Sequence, residues 1–325
     1  MGPPPSGERS LKMLRSVATA FFPANVTVRV GDRVRFLPNA YHSVDLPPRG
    51  GERLQYAVPS GRATGVPDAA GRQFWFRGFE TFVLHPRLKP STGPRTWSYD
   101  GTKRINSGLP SPEGAKPMTV RFTRRGSYTY FCNVHSRMQG SVRVVSRARR
   151  VPTSAGERTR ASREVRAAIR TAQRLARKRA LPRTIHVGRS GRGGVERLAF
   201  GPAALTVPAG TAVTFRVTTG SRVAHTATTG PGSPSEPGSY LGDLALAPQG
   251  SSLNLAIAFP SEPPTVGTVN LTPRSHGNGF WNSGVMDGVA SSPTPGQSRV
   301  RFSERGTYRF FCMVHTTMST LVTVK

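Results

Sequence analysis

The chain repeats itself. "NVTVRVGDRVRF" at 25–36 matches "ALTVPAGTAVTF" at 204–215, and "YHSVDL" at 41–46 matches "AHTATT" at 224–229. "NSG" stands at 106–108 and again at 282–284, and "MTVRFTRRGSYTYFCNVHSRMQGSVRVV" at 118–145 runs parallel to "SRVRFSERGTYRFFCMVHTTMSTLVTV" at 298–324. Four blocks in one order are the mark of an internal duplication, which obliges the chain to fold as two copies of one unit, each with its own core. A length of 325 residues suits that, because a unit of about 100–150 residues buries enough surface to be stable.

The matched blocks also set the fold class. In the first pair, Val26, Val28 and Val30, then Val34 and Phe36, stand against Leu205 and Val207, then Val213, Phe215 and Val217. That is alternation with period two on either side of a glycine turn, which reads as two half-buried strands. Hydrophobic residues make up 36% of the chain, and 35 glycines and 29 prolines punctuate short Val/Thr/Phe-rich runs, so the expected class is all-β. The expected domains are 1–146 and 185–325, joined by a basic linker at 147–184.

Residues 147–183 hold 13 Lys and Arg against two Glu. Val165, Ile169, Ala172 and Ala176 recur at helical spacing and Pro182 closes the run, so an amphipathic linker helix is expected from Ser162 to Ala180. It has no interleaved aromatics and no base-reading module, and a solvated linker is expected rather than specific nucleic-acid binding. The whole chain has a net charge of +30, which admits nucleic acid, an anionic membrane or an acidic protein and does not choose among them. No run of about 18 apolar residues offers a transmembrane helix. No secretory signal is visible ahead of the first strand-like residues near Val17.

The only two cysteines, Cys132 and Cys312, fall in equivalent places of the two repeats, within "FCNVHSRMQG" and "FCMVHTTMST". Equivalent positions in separate domains are out of reach of one another, so no disulfide is expected. A metal ligand, a reactive thiol and a small buried side chain remain, and for an isolated cysteine the last is the commonest. Here each cysteine ends a strand, a histidine and a methionine follow at Cys-x-x-His-x-x-Met spacing, and another histidine ends a strand about 90 residues earlier. Thiolate, two imidazoles and a weak thioether are the donors of a blue-copper electron-transfer centre, trigonal with an axial methionine. The joint recurrence of all four residue types favours copper over packing.

At these residues the chain resembles the cupredoxin superfamily of plastocyanin- and azurin-like proteins, with a short loop similar to that of amicyanin. The resemblance covers most of 20–145 and 186–325 and implies two Greek-key β-sandwiches. It implies ligands His42, Cys132, His135 and Met138 for one type 1 copper, and His225, Cys312, His315 and Met318 for a second. A glycine often follows the methionine closely in that family; Gly140 does so in the first repeat, whereas Ser319 and Thr320 follow Met318. The resemblance further implies an electron carrier, an extracytoplasmic location and a redox-protein partner, with an acidic partner or an anionic cell surface expected from the charge. Multicopper oxidase, nitrite reductase and copper store or chaperone are the alternatives. Against the enzymes, Cys132 is flanked by Phe131 and Asn133, Cys312 by Phe311 and Met313, and no His-x-His occurs. His85, His186 and His276 remain outside the two ligand sets.

Overall fold

The computed structural model describes residues 5–37, 41–88, 95–110, 116–246, 254–290, 292 and 294–325. The chain divides into two compact units, one of 1–58, 84–174 and 191–195, the other of 59–83, 175–190 and 196–325.

In the first unit one sheet runs, in order, Asn25–Arg29, Gln139–Val145, Gly126–Phe131, Asp45–Leu46 and Ile105–Asn106, and a second runs Arg33–Phe36, Met118–Phe122 and Arg95–Tyr99. Alternation decides what lies between them. Met118, Val120 and Phe122 turn inward from one sheet, and Tyr128, Tyr130, Val142 and Val144 from the other, into a single cluster that also contains Phe36, Cys132 and Met138. Gly126–Phe131 and Gln139–Val145 form an antiparallel hairpin, from Gly126 opposite Val144 to Phe131 opposite Gln139. The Cys-x-x-His-x-x-Met segment is the connection of that hairpin, so both ends of the loop are fixed by the sheet.

The second unit repeats this order. Ala204–Val207, Ser319–Val324, Gly306–Phe311, Thr228–Thr229 and Trp281–Asn282 make one sheet, and Ala212–Arg216, Gln297–Phe302 and Thr268–Leu271 are successive strands of the other. Thr184–Gly191 pairs in parallel beside Ala212–Arg216 and widens that sheet. Phe215, Val300 and Phe302 meet Tyr308, Phe310, Val322 and Val324 in the core. Both units are β-sandwiches of the expected class.

The linker helix spans Ser154–Arg177. It begins earlier than the sequence reading because Thr153 caps it: the Gly156 N–H donates to Thr153 Oγ1 at 3.1 Å, and the Glu157 N–H to Thr153 O at 3.0 Å. Its buried stripe is Val165, Ala168, Ala172 and Leu175, while Ala176 is exposed. Other features have no counterpart in the sequence reading. Short helices form at Tyr240–Leu246 and Leu255–Ala258. The segment 59–83, inserted in the first repeat, belongs to the second unit, where Phe74 and Phe76 join Leu241, Ile257, Phe280, Phe311 and Met313 in one buried cluster. No helix among the described residues is long and apolar enough to cross a membrane.

Candidate metal centres

Both hairpin connections close in the same way. The Cys132 N–H donates to Met138 O at 2.9 Å and the Met138 N–H to His135 O at 3.3 Å; the Cys312 N–H donates to Met318 O at 3.2 Å and the Met318 N–H to His315 O at 2.9 Å. Each loop therefore folds its histidine and methionine back over its cysteine. Cys132, Met138, Cys312 and Met318 are buried, and each pair lies in the core cluster of its own unit.

The fourth residue arrives from the neighbouring strand of the same sheet, on the far side of the cysteine-bearing strand from its hairpin partner. His42 precedes Asp45–Leu46, whose Asp45 lies opposite Phe131, and His225 precedes Thr228–Thr229, whose Thr228 lies opposite Phe311. In the first unit, Cys132 Sγ is 3.9 Å from His42 Nδ1 and 3.5 Å from His135 Nδ1, and the two nitrogens are 3.0 Å apart. In the second, Cys312 Sγ is 3.7 Å from His225 Nδ1 and 3.8 Å from His315 Nδ1. Bonds of about 2.0–2.3 Å from three donors to one central ion place those donors roughly 3.3–3.8 Å apart. The four sulfur–nitrogen distances, 3.5–3.9 Å, are close to that size, the 3.0 Å between His42 Nδ1 and His135 Nδ1 is shorter, and the same ring nitrogen turns inward in all four histidines. These two triangles are the only groupings of three or more His, Cys, Asp or Glu donors within 4.8 Å of one another among the described residues.

Neighbouring hydroxyls lock the pieces together. The residue after each strand histidine accepts from the N–H after each cysteine: Asn133 N to Ser43 Oγ at 2.9 Å, and Met313 N to Thr226 Oγ1 at 2.8 Å. The serine of each "NSG" then clamps the strand that carries the histidine. Ser107 Oγ accepts from the Val44 N–H at 2.8 Å while the Ser107 N–H donates to Val44 O at 2.9 Å; Ser283 Oγ accepts from the Ala227 N–H at 2.8 Å while the Ser283 N–H donates to Ala227 O at 3.0 Å. These positioning residues were not singled out in the sequence, although the recurrence of "NSG" was the signal. Asn133, buried between strands, receives Ser43 Oγ–H and Asn106 Nδ2–H at Oδ1 and donates from Nδ2 to Asp45 and Leu54 O, while Arg104 pairs with Asp45 at 2.6 Å.

Burial sets the electrostatics. It lowers His42 and His315 to about 4 and His225 well below the ordinary histidine value, so these rings are neutral at neutral pH. The same burial raises the Cys312 thiol, partly offset by N–H groups of Thr226 and His315 that donate to its sulfur, each at 3.4 Å. Neutral imidazoles beside a buried sulfur suit a soft, redox-active ion such as copper, whose charge compensates the thiolate. Gly188, at φ +77°, leaves room for the His225 ring: a Cβ there would lie 2.5 Å from Nε2.

The departure at Thr320, where the first repeat has Gly140, has a local cause. Gly140 lies opposite Tyr130, whose hydroxyl donates to Ala24 O at 2.9 Å, and a Cβ on Gly140 would overlap both. In the second unit Thr320 lies opposite Phe310, which has no hydroxyl, and Thr320 Oγ1 donates to Pro202 O at 2.9 Å. The hydroxyl has moved from one strand to its neighbour, and the loop closes in both. The remaining histidines have other surroundings. His85 Nδ1 accepts from the Arg87 N–H at 3.1 Å, and His276 bridges Asp68 at 3.2 Å and Glu262 at 2.9 Å, an arrangement that raises its pKa.

No protein-family model matches the chain, and no curated protein matches it. Solved structures similar to part of it include a purple cupredoxin from Nitrosopumilus maritimus, at 19% identity over 44% of this chain and 98% of that one, with a TM-score of 0.22. Oxidised plastocyanin from Dryopteris crassirhizoma gives 22% identity over 44% and 99%, with a TM-score of 0.24. Auracyanin A, titled a "blue" copper protein from Chloroflexus aurantiacus, gives 21% over 44% and 96%, with a TM-score of 0.25. The repeated strand order and the repeated donor clusters of this chain agree in what they describe: a tandem of two cupredoxin-like β-sandwiches, each with a ligand group fitted to copper.

Proposed function

We propose that the protein is an electron carrier with one type 1 copper in each repeat, cycling between Cu(I) and Cu(II). His42, Cys132, His135 and Met138 hold one ion, and His225, Cys312, His315 and Met318 the other. The observation that carries this reading is the matched pair of inward-facing Nδ1, Nδ1 and Sγ triangles. Bound copper supplies a one-electron couple; the protein supplies donors anchored at strand ends, which keep their places when the charge changes. His135 and His315 are the half-buried members of their clusters, and Val314 beside His315 is exposed, so each site has an edge near the surface for electron entry and exit.

A carrier is favoured over an oxidase because a catalytic copper needs further histidines, and His85, His186 and His276 join neither donor group. The repeats at 1–146 and 185–325 are the copper-binding domains of this reading, with 147–184 as linker and the inserted segment 59–83 packed with the second unit. An extracytoplasmic location and a redox partner of acidic character accompany it, the latter supported by the net charge of +30. Single Cys132→Ser and Cys312→Ser variants test the assignment: each should lose one centre's intense thiolate-to-copper absorption and keep the other's. A variant that retains both bands, or loses both, contradicts the ligand sets.

A further inference from the structure

Thr184–Gly191 and Ala212–Arg216 lie side by side with Ile185 opposite Phe215 and His186 opposite Arg216. Ile185, Val187, Phe215 and Val217 face the core, which turns His186 and Arg216 together onto the outer face of the sheet. Lys178, just past the linker helix, and Arg189 complete the walls of a cleft of about 190 Å³, with Ser190 and Thr218. Three cations and an imidazole thus line one concavity with no acidic side chain among its walls, and paired cations on one sheet face repel.

Arg189 is 7% exposed, and its guanidinium donates to Lys178 O and to Arg179 O while Nε has no partner. His186 Nδ1 is likewise buried without a partner. Buried polar nitrogens without acceptors are costly, and one ligand with several acceptor oxygens would satisfy them together. We propose that this cleft, remote in kind from the copper donors, is a binding site for a phosphate-type oxyanion, free or borne on a lipid headgroup, held by Lys178, His186, Arg189 and Arg216. Burial first, then Arg189, Lys178 and Arg216, lower His186 to about 4. An anion among the same groups opposes those cations, so its binding raises the His186 pKa and tightens as pH falls.

The test is calorimetric titration of inorganic phosphate into the full chain, with ionic strength held constant by chloride, alongside NMR titration of His186. The expected result is saturation at one phosphate per chain, binding about ten-fold weaker in both Arg216→Gln and Lys178→Gln, no change in Arg309→Gln on the opposite sheet, and a raised His186 pKa at saturation. Vesicles containing phosphatidylglycerol separate the two sources: a headgroup ligand makes vesicle binding fall in the same two variants and be competed by phosphate, whereas a free-phosphate ligand leaves vesicle binding equal across all three. Phosphate binding that fails to saturate, or that Arg309→Gln weakens as much as Arg216→Gln, overturns the proposal and returns the cleft to diffuse surface charge.

Discussion

At the scale of single residues, the protonation states of the donors distinguish this site from a surface cluster of the same composition. His225 and His315 are neutral because burial disfavours the imidazolium, and Cys312 is protonated because burial disfavours the thiolate. Metal binding then displaces the thiol proton and none from the rings. In the Cys132→Ser variant, where the second site keeps its full donor set, about one proton should be released per copper bound between pH 6 and 8, as measured by calorimetry in buffers of different ionisation enthalpy. Release of two or three protons would mean that the rings start out charged. The same shifts set the acid stability of the metal-free chain. Folded values near 4 for His42 and His315 lie below the unfolded histidine value of 6.5, so their contribution is complete above 6.5 and is lost as pH falls towards 4. Denaturant midpoints of the metal-free protein should drop across that window and stay level above it.

At the scale of elements, the site depends on one hairpin and one clamped strand in each unit. The hairpin's tolerance differs between repeats because Tyr130 faces Gly140 where Phe310 faces Thr320. Gly140→Thr should destabilise the chain by about 1–3 kcal/mol through overlap with Tyr130 and Ala24, and adding Tyr130→Phe should recover the part of that loss due to the hydroxyl. Denaturant unfolding of the single and double variants checks this; an additive second loss would contradict it. The two His, Cys and His groupings and the sandwich were legible in the sequence because cysteine is rare, the spacing recurs, and strand alternation has a fixed period of two. The clamp by Ser107 and Ser283 was visible only as a recurring "NSG", since a hydrogen bond to a strand some 60 residues away leaves no periodic trace. The helices at Tyr240–Leu246 and Leu255–Ala258 escaped for a different reason. They lie amid Gly, Pro and Ser, are too short to show a helical repeat, and are held by the aromatic cluster around Phe76 and Phe280. The linker helix was legible in kind, and its start depended on a cap at Thr153.

At the scale of the whole molecule, duplication and charge bear on the proposed electron transfer. On the proposed reading, a net charge of +30 steers an acidic redox protein towards the chain at low salt, and that attraction weakens as the Debye length falls from about 30 Å at 0.01 M to about 8 Å at physiological ionic strength. Stopped-flow electron-transfer rates with an acidic acceptor should therefore fall steeply with salt, while rates with a cationic acceptor start low and rise; rates insensitive to salt for both would remove charge from recognition. The central claim is that each half of the chain holds one copper in a thiolate-bearing site of its own. Copper titration of the metal-free protein, followed by the thiolate-to-copper absorption and by electron paramagnetic resonance, tests it most directly. The account predicts that the intense visible band grows linearly and saturates at two equivalents, with each spin showing type 1 character. Saturation at one equivalent, or two bound ions without the band, would contradict it.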